Sequence, residues 1–129
     1  MPNTYNTKNS QKIAEELKNV KINENTKMIT LDIKDLYMNL PLKGIIKATK
    51  YWLNRNNNNE EITYKLLNIL WTIMKQYYFQ YKDKFCQPQK GIGMGSPISG
   101  TMAETYLQYI EETYIKQWWD TGEIVHYKR

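Results

Sequence analysis

The chain has a single cysteine, Cys86, and a single histidine, His126, among 129 residues. Within one chain this excludes a disulfide framework and a Cys/His zinc cluster, because each needs several such ligands. With no second histidine to activate its thiol, Cys86 reads as a small strand residue without chemistry. No stretch approaches eighteen apolar residues, and the N-terminal "MPNTYNTKNSQKIAEELKN" lacks the apolar core of a signal peptide. The expectation is an intracellular, soluble protein with no membrane partner. A dense Lys/Arg run is also missing. Eighteen Lys and Arg against thirteen Asp and Glu give +5 and a pI near 9.2. Such an excess tolerates a polyanion and raises the case for nucleic acid only slightly.

What is present suits one globular unit of 15.5 kDa. Residues 1–9 read as disordered or irregular. Ser10 can cap a short helix with Ile13, Ala14 and Leu17 in one stripe, and "NENTK" forms a loop after it. Ile45, Ala48, Thr49 and Trp52 recur at helical spacing after Pro41, and "NRNNNNE" ends that element as a polar linker. Asn59 can cap the next helix, with Glu60 and Glu61 at its positive end and Ile62, Leu66, Leu70, Ile73 and Met74 as a wide apolar face. "YYFQYKDKFCQPQKG" reads as a hairpin around "KDK", with Pro88 ending its second strand. A long helix follows, marked by Ala103, Leu107, Ile110, Tyr114 and Trp118 and closed by "DTG", and "IVHYKR" begins a strand.

Two stretches carry the functional information. In "MITLDIKDLYMNLP", residues 28–41, the alternation from Met28 to Ile33 predicts a strand with Ile29, Leu31 and Ile33 on one face and Asp32 on the other. An ionised carboxylate costs several kcal/mol to bury without a partner, so Asp32 must meet a cation, a donor or solvent. A turn acid at a strand end is the plain alternative. The second stretch, "QKGIGMGSPISGTMAETYLQYIEE", residues 89–112, sets Gly91, Gly93 and Gly95 before a helix, where backbone can approach a ligand closely. Its spacing is not the dinucleotide fingerprint, and it lacks the Gly-Lys-Ser/Thr of a P-loop. Taken alone, it reads as a flexible helix start, with Met94 able to fill a core gap.

As a pair the stretches are more specific. "LDIKDLYMNLP" resembles the first catalytic motif of reverse transcriptases, and "GIGMGSPISGTMAETYLQYIEE" resembles the second, in the same order and some sixty residues apart. The form most similar to both belongs to Penelope-like retroelements, whose motifs read much like L-D-V-x-x-L-Y-T-N-I-P and G-x-x-M-G-S-P-L-S-P. Group II intron and telomerase-like enzymes fit "MGSPISG" less well. The resemblance covers roughly Ser10 to Arg129 and implies an RNA-directed DNA polymerase of a transposable element, acting on an RNA or DNA template-primer and dNTP. By the same resemblance Asp32 is the first metal-ligating Asp and the Ile33 carbonyl a further ligand. Asp35 and Leu36 would offer backbone amides near the triphosphate, Tyr37 would be the aromatic steric gate, and Met94 with Gly95 would line the nucleotide pocket. Gly100 stands where the pattern has Pro, which loosens the helix start, and Met94 stands where related polymerases place Gln.

Nucleotidyl transfer of this kind uses two Mg²⁺ ions held by oxygen ligands. One Asp cannot position both, and the family adds carboxylates from an aromatic-x-Asp-Asp hairpin. After Gly95 the acids are Glu104, Glu111, Glu112, Asp120 and Glu123, none in that motif. The expectation is therefore a partial palm/fingers domain over residues 1–129, truncated at both ends, with the missing carboxylates encoded beyond Arg129 and no activity alone. The implied fold is α+β, a small antiparallel palm sheet packed on helices with its other face open to carry Asp32. The alternative is a non-catalytic nucleic-acid-binding or interaction module derived from such an enzyme.

Overall fold

The structure, a computed structural model, describes residues 5–7, 9–56 and 59–129. Residues 1–4 and 8 of the irregular N-terminal segment, and 57 and 58 of the asparagine run, lie outside the described residues. The architecture is α+β, dominated by helix, with one two-stranded antiparallel sheet among the described residues. Tertiary contacts divide the chain into two compact units, Met1–Asp32 with Ile110–Arg129, and Ile33–Tyr109.

In the first unit, helix α1 spans Ser10–Lys18. Its cap is Asn9 rather than Ser10: the Asn9 side chain accepts from the Lys12 N–H at 2.9 Å. A cap must lie outside the helix in extended geometry, and Asn9 has that backbone while Ser10 is already helical. "NENTK" is the turn expected, closed by mutual hydrogen bonds of Asn23 and Thr26. The stretch Met28–Ile33 then departs from expectation. It forms no strand, and its apolar side chains lie in solvent, Met28 87% and Leu31 85% exposed. Alternation supplies only a candidate face; a strand also needs a partner ladder, and the two described strands pair with each other. Asp32 thus sits on irregular backbone.

Ile110–Arg129 completes this unit. Glu111–Ile115 is a π-helical turn and Lys116–Asp120 a short helix, α6, after which Gly122 takes φ +78°. "IVHYKR" forms no regular strand. Its last residue nevertheless makes a strand-like pair of backbone bonds, Arg129 N–H to the Tyr5 carbonyl at 2.8 Å and Thr7 N–H to the Arg129 carbonyl at 2.9 Å.

The second unit holds α2 (Leu36–Asn39), α3 (Leu42–Arg55), α4 (Glu60–Lys75), β1 (Phe79–Tyr81), β2 (Lys84–Cys86) and most of α5 (Ser99–Ile110). Ile45, Ala48 and Trp52 of α3 are buried as their spacing predicts, and Leu40, Ile45 and Ala103 make the core with Leu36, Tyr37, Met74, Ile92, Met102 and Tyr106 against it. The Trp52 indole N–H donates to the Thr105 carbonyl at 3.3 Å, joining α3 to α5. Asn59 caps α4 through the Glu61 N–H at 2.8 Å. The α4 face differs from the predicted one. Thr63 is buried and Leu67, Leu70, Trp71 and Met74 are half-buried, while Ile62, Leu66 and Ile73 are exposed. The hairpin forms in the register Phe79 with Cys86, Gln80 with Phe85 and Tyr81 with Lys84, turned by Lys82 at φ +53°.

Candidate functional site

Asp32, the last residue of the first unit, is solvent-exposed. The other candidate residues belong to the second unit. Ile33 is 49% exposed and leads into a turn at Lys34 and Asp35. Asp35 is left-handed, φ 50° and ψ 47°, a conformation Asp tolerates better than most residues. This reversal starts α2: the Asp35 carbonyl accepts from the Asn39 N–H at 3.1 Å, while its carboxylate makes no capping bond. Leu36 and Tyr37 are half-buried against the core.

The glycine loop meets this segment directly. The Ile92 N–H donates to the Tyr37 carbonyl at 2.8 Å, and Gly91 packs so closely that a Cβ there would lie 2.6 Å from the Met38 carbonyl oxygen. With φ +81°, Gly91 also needs a backbone that side chains disfavour. Gly93 is buried against the Tyr77 ring, and its carbonyl accepts the Ser99 hydroxyl from the start of α5. Met94 and Gly95 form the outer part of the loop. Met94 is 72% exposed and fills no core gap, and a Cβ on Gly95 would meet nothing within 4 Å. A cleft of about 260 Å³ lies beneath the loop, lined by Met74, Tyr77, Ile92, Gly93, Ser99 and Met102 among others.

The structure thus brings together Leu36–Met38 and Gly91–Gly93 and supports the exposed Met94–Gly95 turn from Ser99. Among the described residues no group of three or more His, Cys, Asp or Glu could hold a metal ion. Asp32 provides one hard oxygen donor set, so the residues present do not by themselves fit a two-ion Mg²⁺ centre.

A polar cluster in the first unit is one that the sequence does not announce. Glu111 is buried, and its carboxylate receives Arg129 Nε at 2.7 Å, Arg129 Nη2 at 3.3 Å and the Tyr127 hydroxyl at 3.0 Å. Burial, then the Glu111 charge and hydrogen bond, push the Tyr127 hydroxyl up to about 12. Burial followed by the charge of Glu112 also raises Tyr5, whose ring meets Tyr127 edge-on at 5.6 Å. On the alternate residues, Lys128 Nζ and His126 Nε2 lie 3.4 and 3.8 Å from Glu16 Oε2. The only sequence signal for this arrangement is the alternation of "VHYKR", which gives no partner. No family model matches the chain, no curated protein matches its sequence, and no solved structure matches its fold.

Proposed function

We propose that the chain carries the first and second palm motifs of a reverse transcriptase similar to those of Penelope-like retroelements. In this reading Asp32 and the Ile33 carbonyl are metal ligands of a two-Mg²⁺ nucleotidyl transfer, Asp35 and Leu36 face the triphosphate, Tyr37 gates the sugar, and Met94 and Gly95 border the nucleotide. The observation that supports it is the Tyr37–Ile92 hydrogen bond with Gly91 against Met38, which joins in one unit two motifs more than fifty residues apart. No catalytic step is assigned to the chain alone, because its described carboxylates do not make the metal centre.

Photo-crosslinking with an azido-dNTP and Mg²⁺ tests the assignment. The expected result is saturable labelling of Tyr37 or Met94, competed by dNTP and weakened by Asp32→Ala. Labelling elsewhere, or none that dNTP competes, would remove the reading. The exposed position of Asp32, with no metal-holding cluster among the described residues, favours a second reading: a nucleic-acid-binding or interaction module without catalysis. Binding of template-primer with no dNTP-competed labelling would select it.

A further inference from the structure

Helix α4 carries more apolar surface than its packing uses. Within its unit it buries Thr63 and half-buries Leu67, Leu70, Trp71 and Met74. Ile62, Leu66, Ile69 and Ile73 form a separate stripe, each between 45% and 57% exposed. Their spacing of four, three and four residues keeps them within about 60° of arc, and sets the stripe about 100° round the helix from the buried side chains. This is the seam spacing of a coiled coil, whose apolar residues need a facing helix. Exposed apolar surface gathered in this way marks an interaction site.

The charges of α4 indicate what the facing helix is. Glu60 and Glu61 occupy the first turn and Lys75 the last. A parallel copy would set the two acids beside their own counterparts and Lys75 beside Lys75. An antiparallel copy sets the acidic turn of each helix beside the basic turn of the other, and it also opposes the two macrodipoles. The stripe accepts that orientation in register. Ile62 and Ile73 lie equally far in sequence from the midpoint between Leu67 and Asn68, as do Leu66 and Ile69. A two-fold axis through the midpoint therefore seats Ile62 on Ile73 and Leu66 on Ile69 of the second copy, with Glu60 level with Lys75. Lys65 is the one charge between residues 62 and 74; it is paired with Glu61 at 2.6 Å and comes level with the uncharged Leu70.

We infer that α4 is a self-association surface, on which two copies of this chain pair as an antiparallel helix dimer through Ile62, Leu66, Ile69 and Ile73. Half of four side chains per copy falls short of the about 800 Å² per partner of a standard interface, so the dimer is weak, with a Kd on the order of 10–100 μM. The pairing uses no residue of either motif, no metal and no nucleic acid, so it stands or falls apart from the polymerase reading.

Sedimentation equilibrium of the full chain in reducing buffer, from ~5 to ~500 μM, tests it. The mass should rise from 15.5 kDa toward twice that value, and Leu66→Gln with Ile69→Gln should weaken association ~10-fold or more. Both positions are exposed, so circular dichroism should show a folded variant. Orientation is read from disulfides in a Cys86→Ser background. Ile62→Cys and Ile73→Cys should cross-link when the two variants are mixed, and neither should cross-link with itself, because equivalent residues at these positions lie about 16 Å apart along the antiparallel axis. This pattern decides the matter independently of the glutamine variant. Self-cross-linking of Ile62→Cys alone would overturn the antiparallel arrangement. A monomer throughout the concentration range, or a dimer that the glutamine variant leaves intact, would overturn the inference and assign the stripe to another partner.

Discussion

Arg129 closes on Glu111 through two nitrogens, at 2.7 and 3.3 Å, and the carboxylate it holds is buried. Removing one partner of such a pair strands a charge in a poorly solvated site. Arg129→Ala should therefore destabilise the protein by about 3 kcal/mol. Glu111→Gln, which removes the buried charge and keeps the shape, should cost less. Urea unfolding of the two variants gives the comparison, and equal or reversed losses would contradict it.

Tyr127 gives the same cluster a pH dependence. Its folded pKa, about 12, lies above the ordinary 10.0, so the neutral phenol is favoured by folding. The contribution is fully present below pH 10 and is lost as pH rises through 12. Thermal melts from pH 9 to 12 should show a steeper fall in Tm for the parent than for Tyr127→Phe, and parallel curves would count against the burial of this hydroxyl beside Glu111.

The glycines separate by environment. Gly91→Ala combines φ +81° with a Cβ 2.6 Å from the Met38 carbonyl oxygen, and should cost about 2 kcal/mol or more. Gly100 lies in α5 with open space around its would-be Cβ, so Gly100→Ala should stabilise by about 0.5–1 kcal/mol. Chemical denaturation of both would test whether the loop's backbone contact with Tyr37 and Met38 has the geometry described.

Thr63 is buried on α4, and its hydroxyl has no hydrogen-bond partner among the described residues. Valine has the same branched shape without the polar atom, so Thr63→Val should raise stability by about 1 kcal/mol. A loss on urea unfolding would show that the hydroxyl is satisfied.

In primer extension, the chain alone should give no template-directed product with Mg²⁺ or Mn²⁺, since among the described residues no group of three or more His, Cys, Asp or Glu could hold a metal ion, and the reaction needs two. Template-dependent extension that disappears in Asp32→Ala would mean that other side chains of the same chain complete the centre with Asp32.

Local chemistry made several elements legible from the amino acids alone. The Asn59 cap of α4, the buried Ile45–Ala48–Trp52 stripe and the hairpin around Lys82 depend on neighbours within a few residues. The glycines at 91 and 93 signalled close approach without saying to what. Only the tertiary structure decided that Gly91 lies on Met38, that Tyr77 covers Gly93, and that Glu111 receives Arg129. It also left Met28–Ile33 out of any strand, although the alternation there is regular. Alternation records which side chains could share a face. Whether that face is used depends on a ladder of hydrogen bonds from distant backbone, and the pattern of one segment cannot contain its partner.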